Sequence, residues 1–190
     1  MKKLMMLLAL FVMAGIGLGD QLLINGDFEQ PIDVGWTDTV VGSTGSSLFT
    51  WCDTLGQPTP GYAACVYKTL ASYAALGQTV AIPNANVVFE WDGRLRIGGG
   101  SSTCWPTAAF LINYQKLDGT SLGNTRFYLH DQYNTWVVSD TMNLIEVNTP
   151  EVWAHYTLNV ADEIADRLPG INAADVAKVR IELFSYDNGT

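Results

Sequence analysis

Apolar positions along the chain recur in short runs separated by turn residues, and each run reads as a strand. They are "LLINGDF" (22–28), "SLFTWC" (47–52), "YAACVYK" (62–68), "ALGQTVAI" (75–82), "VVFEWDGRLRI" (87–97), "TAAFLINYQK" (107–116), "TRFYLH" (125–130), "WAHYTLNV" (153–160) and "AKVRIELFSY" (177–186). The intervals carry Pro, Gly, Asn and Asp, as turns do. Side chains alternate along a strand. In 87–97 that puts Phe89, Trp91, Leu95 and Ile97 on one face and Glu90, Asp92, Arg94 and Arg96 on the other. In 177–186, Val179, Ile181 and Leu183 turn inward while Arg180 and Glu182 turn outward. If those two strands are neighbours, their acids and arginines pair across the sheet, each pair worth about 0.2–1 kcal/mol.

One segment has a different period. "NVADEIADRLPG" spaces Val160, Ile164 and Leu168 four apart and stops at Pro169-Gly170, which predicts a short helix. Asp118-Gly119 between two strand patterns predicts a hairpin turn. Nine strands, one short helix and dense turns make a single all-β sandwich with one short helical insertion.

The opening run places Asn25, Asp27 and Glu29 on one strand face, with Gly26 suggesting a bulge. Three oxygen-bearing side chains in a row fit either a bound cation or a wet edge.

Residues 1–19 have a leader's character. Lys2 and Lys3 precede an apolar run, and Gly17 and Gly19 stand at −3 and −1 of a cleavage before Asp20. We therefore expect a signal peptide over 1–19, a single domain over 20–190, and a secreted or envelope location. Without Lys2 and Lys3, 8 basic residues face 19 acidic ones, about −11 overall. That balance excludes nucleic acid and, once the leader is removed, anionic membranes as partners. It leaves neutral or cationic ligands and metal ions. With 48% apolar and 15% charged residues the chain is not disordered.

Three cysteines in an exported chain allow one disulfide. Cys52 and Cys104 both lie in loop-like, Trp-containing stretches, which favours Cys52–Cys104, and Cys65 in a strand pattern is expected as a buried thiol. Connectivity is not fixed by spacing.

Together "LLINGDFEQPIDVGW", the Gly-led middle run through "IPNANVVFEWDGRLRI", "EVWAHYTLNV" and "AKVRIELFSY" resemble galactose-binding-like jelly rolls. That group includes the carbohydrate-binding modules of cellulases and xylanases. The resemblance spans most of 22–186 and implies a jelly-roll β-sandwich and a poly- or oligosaccharide partner. It also implies a structural calcium ion near the opening stretch, with Glu29 and Asp187 as leading ligands and Asn25 and Asp27 as further donors. Such modules close with another strand carrying paired acids. This chain stops within the turn before it, so a missing last strand and further domains of a longer parent chain are expected.

Candidate ligand contacts come from loops and from the charged strand face. Trp51 and Trp105 lie beside Cys52 and Cys104, and Tyr133 and Trp136 lie in "DQYNTW". Loop aromatics offer flat apolar faces for sugar rings, or else cap the core. Arg94 and Arg96 offer donors to sugar hydroxyls, or else a solvated face. Trp36, Trp91 and Trp153 are expected in the core. "IGGGSST" lacks the Gly-Lys-Ser/Thr of a phosphate loop, and His130 and His155 lack the spacing of zinc ligands. No Gly-x-Ser-x-Gly elbow occurs, and no acid stands in a recognisable catalytic motif. The expectation is a non-catalytic carbohydrate-binding module. The competing readings are a structural or adhesive envelope sandwich without a small ligand, and a small hydrolase.

Overall fold

The structure, a computed structural model, describes residues 21–42, 45–52, 56, 61–70, 72–98 and 100–188. The expected leader, residues 1–19, lies outside them. Ten strands and one helix follow in order: β1 (Thr37–Val41), β2 (Ser47–Cys52), β3 (Ala63–Lys68), β4 (Ser72–Ala81), β5 (Val88–Gly93), β6 (Thr107–Gln115), β7 (Ser121–His130), β8 (Met142–Glu146), β9 (Ala154–Asn159), α1 (Val160–Arg167) and β10 (Lys178–Asp187). A short 3-10 turn, Ala173–Asp175, precedes β10.

Six strands form one sheet in the order β1-β4-β10-β6-β7-β8, antiparallel except for the parallel β7–β8 pair. Two antiparallel pairs, β2–β3 and β5–β9, cover it. The result is an all-β sandwich with one short helix. Alternation decides which residues enter its core. Val179, Ile112, Tyr114 and Phe127 point inward from the large sheet and meet Phe89, Leu158, Val160 and Ile164. Trp91 of β5 sits edge-on to Phe127, with ring centroids 5.0 Å apart, and stacks on Tyr156 at 5.5 Å.

The helix forms as its spacing predicts. Asn159 caps it by accepting from the Ala161 and Asp162 amides at 2.9 and 3.2 Å, and Val160, Ile164 and Leu168 are buried. A polar chain ties it to the large sheet. Glu163 Oε1 accepts from Thr125 Oγ1 at 2.7 Å and from Asn143 Nδ2 at 2.8 Å, and Thr125 Oγ1 lies 2.9 Å from the buried Tyr114 hydroxyl. The Asp118-Gly119 hairpin is also present, with Gly119 at φ 90° and the Lys116 amide donating to the Thr120 carbonyl at 2.9 Å.

Several expectations are corrected. Residues 22–28 form turns, not a strand. Asn25 sits at φ 51° and is buried, its Nδ2 donating to the carbonyls of Gln30 and Pro31 at 2.9 and 3.1 Å. Its Oδ1 accepts from the Gln30 amide at 2.9 Å, so one side chain satisfies the donors and acceptors of the turn that follows. The pattern also passed over two strands, β1 and β8. β1 is an edge strand with four of its five residues exposed, so burial imposes no alternation on it.

β5 pairs with β9 and not with β10, so the expected cross-sheet pairing of acids and arginines does not form. Trp153 is only half-buried, with the Arg94 guanidinium 5.5 Å from its ring centroid, whereas Trp36 is 6% exposed as expected. Cys65 is exposed, because Ala64, Val66 and Lys68 take the inward positions of β3.

Candidate functional site

Directly opposed residues of a sheet share a face, which identifies the side chains on the outer face of the large sheet. One register row runs Ala75, Phe184, Ala109, Tyr128, Glu146 across β4, β10, β6, β7 and β8. The next runs Gly77, Glu182, Leu111, Arg126, Leu144, and the one after it Thr79, Arg180, Asn113, Asn124, Met142. On the other side of the first row, Tyr73, Tyr186, Thr107 and His130 align. Aromatic rings therefore gather at one end of this face, and Arg, Glu and Asn at the other.

The segment after β7 folds back over the face through a series of Asx turns. Asp131 Oδ1 accepts from the Tyr133 amide at 3.0 Å, and Asn134 Oδ1 accepts from the Trp136 amide at 2.7 Å. Asn134 Nδ2 donates to Thr107 Oγ1 at 2.6 Å, which anchors the loop to β6. Trp136 is thereby held over Arg126, whose guanidinium carbon lies 4.2 Å from the ring centroid. Tyr128 and Phe184 stand 5.8 and 6.1 Å from the same ring. Tyr73 lies 5.2 Å from Phe184.

The polar half is pre-positioned by its own contacts. Arg126 Nε donates to Asn124 Oδ1 at 2.8 Å. Arg180 Nε meets Glu182 Oε1 at 2.8 Å, and Asn113 Nδ2 donates to Glu182 Oε2 at 3.0 Å. Gly77 makes room for this pair, because a Cβ there would stand 2.5 Å from Arg180 Nη2. Burial pulls the Arg126 guanidinium below its ordinary value, and the Glu182 carboxylate opposes that shift. Burial, then the Glu146 charge, pushes the Tyr128 phenol up. His130 Nδ1 donates to the Asp131 carbonyl, so this nitrogen carries the proton, and Nε2 faces Glu146 at 3.8 Å.

The face can offer flat rings to the C–H side of a sugar, and donors and acceptors to its hydroxyls. Of the expected contact residues, only Trp136 and Tyr133 belong to this region. Trp51 of β2 stacks on Tyr62 at 4.8 Å and donates its indole N–H to the Phe28 carbonyl at 2.6 Å. Trp105 is half-buried, its indole N–H donating to the Ser102 carbonyl at 3.2 Å. Arg94 covers Trp153, and Arg96 meets Glu151 at 3.3 Å in a solvent-exposed pair. The sequence pattern marked Arg180 and Glu182 as outward-facing. It gave no sign that Arg126, Tyr128 and Phe184, from separate strands, join them, because that depends on strand order and register.

Several of the expected calcium donors have other partners. Asn25, Asp27 and Glu29 share no strand face, and Asn25 spends its carbonyl oxygen on the Gln30 amide. Asp187 Oδ2 accepts from the Leu70 amide at 3.0 Å, and its Oδ1 stands 3.1 Å from Cys104 Sγ. Among the described residues no group of three His, Cys, Asp or Glu side chains is placed to hold a metal ion. Calcium binding by Asn25, Asp27, Glu29 and Asp187 stands as an expectation. The side chain of Cys52 lies outside the described residues, and the Cys52–Cys104 bridge stands as an expectation. No helix among the described residues is long and apolar enough to cross a membrane.

No family model and no curated protein matches this chain. It is similar to the family 11 carbohydrate-binding module from Clostridium thermocellum solved in complex with a β-1,3-1,4-mixed-linked tetrasaccharide, at 12% identity and a TM-score of 0.40, over 85% of this chain and 89% of that one. It is likewise similar to the family 11 module of the cellulosomal cellulase Lic26A-Cel5E of the same organism, at 12% identity and a TM-score of 0.35, over 87% and 90%. This is a likeness of fold alone.

Proposed function

We propose that this chain is an exported, non-catalytic module that binds carbohydrate on the outer face of its six-stranded sheet. One observation carries the reading: Trp136 is held across the Arg126 guanidinium with Tyr128 and Phe184 beside it, on a sheet face that also bears Arg180, Glu182, Asn113 and Asn124. A sugar ring stacks its C–H face on the aromatics, and the polar row hydrogen-bonds its hydroxyls. Because those groups already hold one another in place, little side-chain entropy is lost on binding. Glu182 is engaged by Arg180 and Asn113, which suits an acceptor of hydroxyl hydrogen bonds better than a free acid or nucleophile.

The test is retention on a panel of immobilised neutral polysaccharides. Mixed-linked β-glucan is a convenient first probe, the ligand type named for one of the similar structures. Trp136→Ala should strongly reduce retention with little loss of stability. Equal retention by Trp136→Ala and wild type would overturn the proposal. If the wild type is retained on no polysaccharide, the structural or adhesive reading takes its place.

A further inference from the structure

We infer that the chain carries a second sugar site, formed by Trp51 together with a depression beside Asp33 and Asp38. It rests on the carbohydrate reading for its ligand class but uses none of the same residues. An open depression is lined by Ile32, Asp33, Trp36, Asp38, Phe49 and Leu76. Asp38 stands opposite Leu76 in register, and Leu76 alternates with Ala75 and Gly77. The depression therefore opens on the side of the sheet away from Trp136. Phe49 and Trp51 lie two residues apart on the same side of β2, and Trp51 bonds the carbonyl of Phe28, whose ring packs on the lining residue Trp36, so Trp51 is a near neighbour of the lining residues.

Trp51 has the marks of a fixed platform. One ring face lies on Tyr62, 6° from parallel, its N–H is bound to the Phe28 carbonyl, and 39% of the residue is still exposed. The acceptor of that bond is unusual: Phe28 sits at φ 56°, a conformation uncommon for a bulky residue. The buried Asn25 amide and the tilted contact with Trp36 at 5.1 Å hold the turn in which Phe28 takes this shape. Residues kept in sparsely populated conformations cluster where a particular geometry is needed. Here the geometry delivers a carbonyl to the indole while part of the side chain stays exposed.

The chemistry selects the ligand. A rigid indole face offers stacking to a pyranose, and the two carboxylates accept hydrogen bonds from its hydroxyls. The same carboxylates repel a uronate, so the site takes a neutral sugar unit. Two such sites on one chain would engage a single polysaccharide at two points, and linked engagement raises avidity by about 10²–10⁴ without a new contact.

The experiment is a ¹H–¹⁵N NMR titration of Trp136→Ala with neutral β-linked gluco- and xylo-tetrasaccharides, and with a glucuronate-containing oligosaccharide. The Trp51 indole N–H and the Asp33 and Asp38 amides should shift with at least one neutral probe and not with the uronate. Joint Asp33→Asn and Asp38→Asn replacement, which leaves the core untouched, should weaken that binding about tenfold. If wild-type protein shows shifts around Trp136 and Arg126 while Trp51, Asp33 and Asp38 stay unmoved, the second site is overturned and the sheet-face reading stands. If no indole or face resonance moves with any probe, both are overturned.

Discussion

Asn25 shows how much of the opening segment depends on one side chain. Its amide donates to two nearby carbonyls and accepts the Gln30 amide from a buried position, and its own carbonyl accepts the Trp36 indole N–H at 3.1 Å. Asn25→Ala should cost about 1–3 kcal/mol, because it strands buried backbone groups. Thermal melts with added calcium and with chelator bear on the same segment. If hydrogen bonds alone tie the turn, the two curves coincide and Asn25→Ala lowers both equally. A cation tether would separate the wild-type curves.

Gly77 gives a second expectation at this scale. Gly77→Ala should push the Arg180 guanidinium off its place above β4 and lower glycan affinity while stability changes little. Hydropathy carries neither residue's role, for a physical reason. Asn25-Gly26 sits in a run whose apolar spacing imitates a strand, while the left-handed backbone at Asn25 and Phe28 leaves no trace in hydropathy.

At the scale of elements, α1 was legible and its tie to the sheet was not. Four-residue spacing, an Asn cap and a Pro-Gly stop are local signals. The Tyr114–Thr125–Glu163–Asn143 chain joins β6, β7, β8 and the helix, and only the tertiary fold brings those four together.

This chain makes a pH prediction. Burial raises the Tyr114 phenol strongly, the Thr125 hydrogen bond opposes the shift, and the Glu163 charge adds to it. The folded state keeps the proton above about pH 10, where the unfolded tyrosine has lost it. Unfolding then releases a proton, so stability is complete below pH 10 and falls as pH rises beyond it. Tyr114→Phe should flatten that alkaline loss, at a cost of about 1 kcal/mol near neutrality, as read by denaturant melts across pH 7–11. Glu163→Ala should cost about 1–3 kcal/mol by leaving the Thr125 and Asn143 donors without their shared acceptor.

Over the whole molecule, charge and architecture point the same way. A charge near −11 over residues 20–190 repels polyanions, and the sheet face places its two arginines against Asn124, Trp136 and Glu182. Acidic polysaccharides should therefore bind worse than neutral ones, and salt should change neutral-glycan binding little. The sandwich itself was readable from run length and turn chemistry. The face proposed to bind was not, because Phe184, Tyr128 and Arg126 become neighbours only through the order β4-β10-β6-β7.

The most direct measurement is calorimetric titration of neutral oligosaccharides into wild type, Trp136→Ala and Arg126→Ala, with melting curves of all three. The account predicts measurable binding by the wild type, a loss of about tenfold or more in each variant, and melting temperatures within a few degrees of one another. Unchanged affinity in folded Trp136→Ala and Arg126→Ala would contradict it.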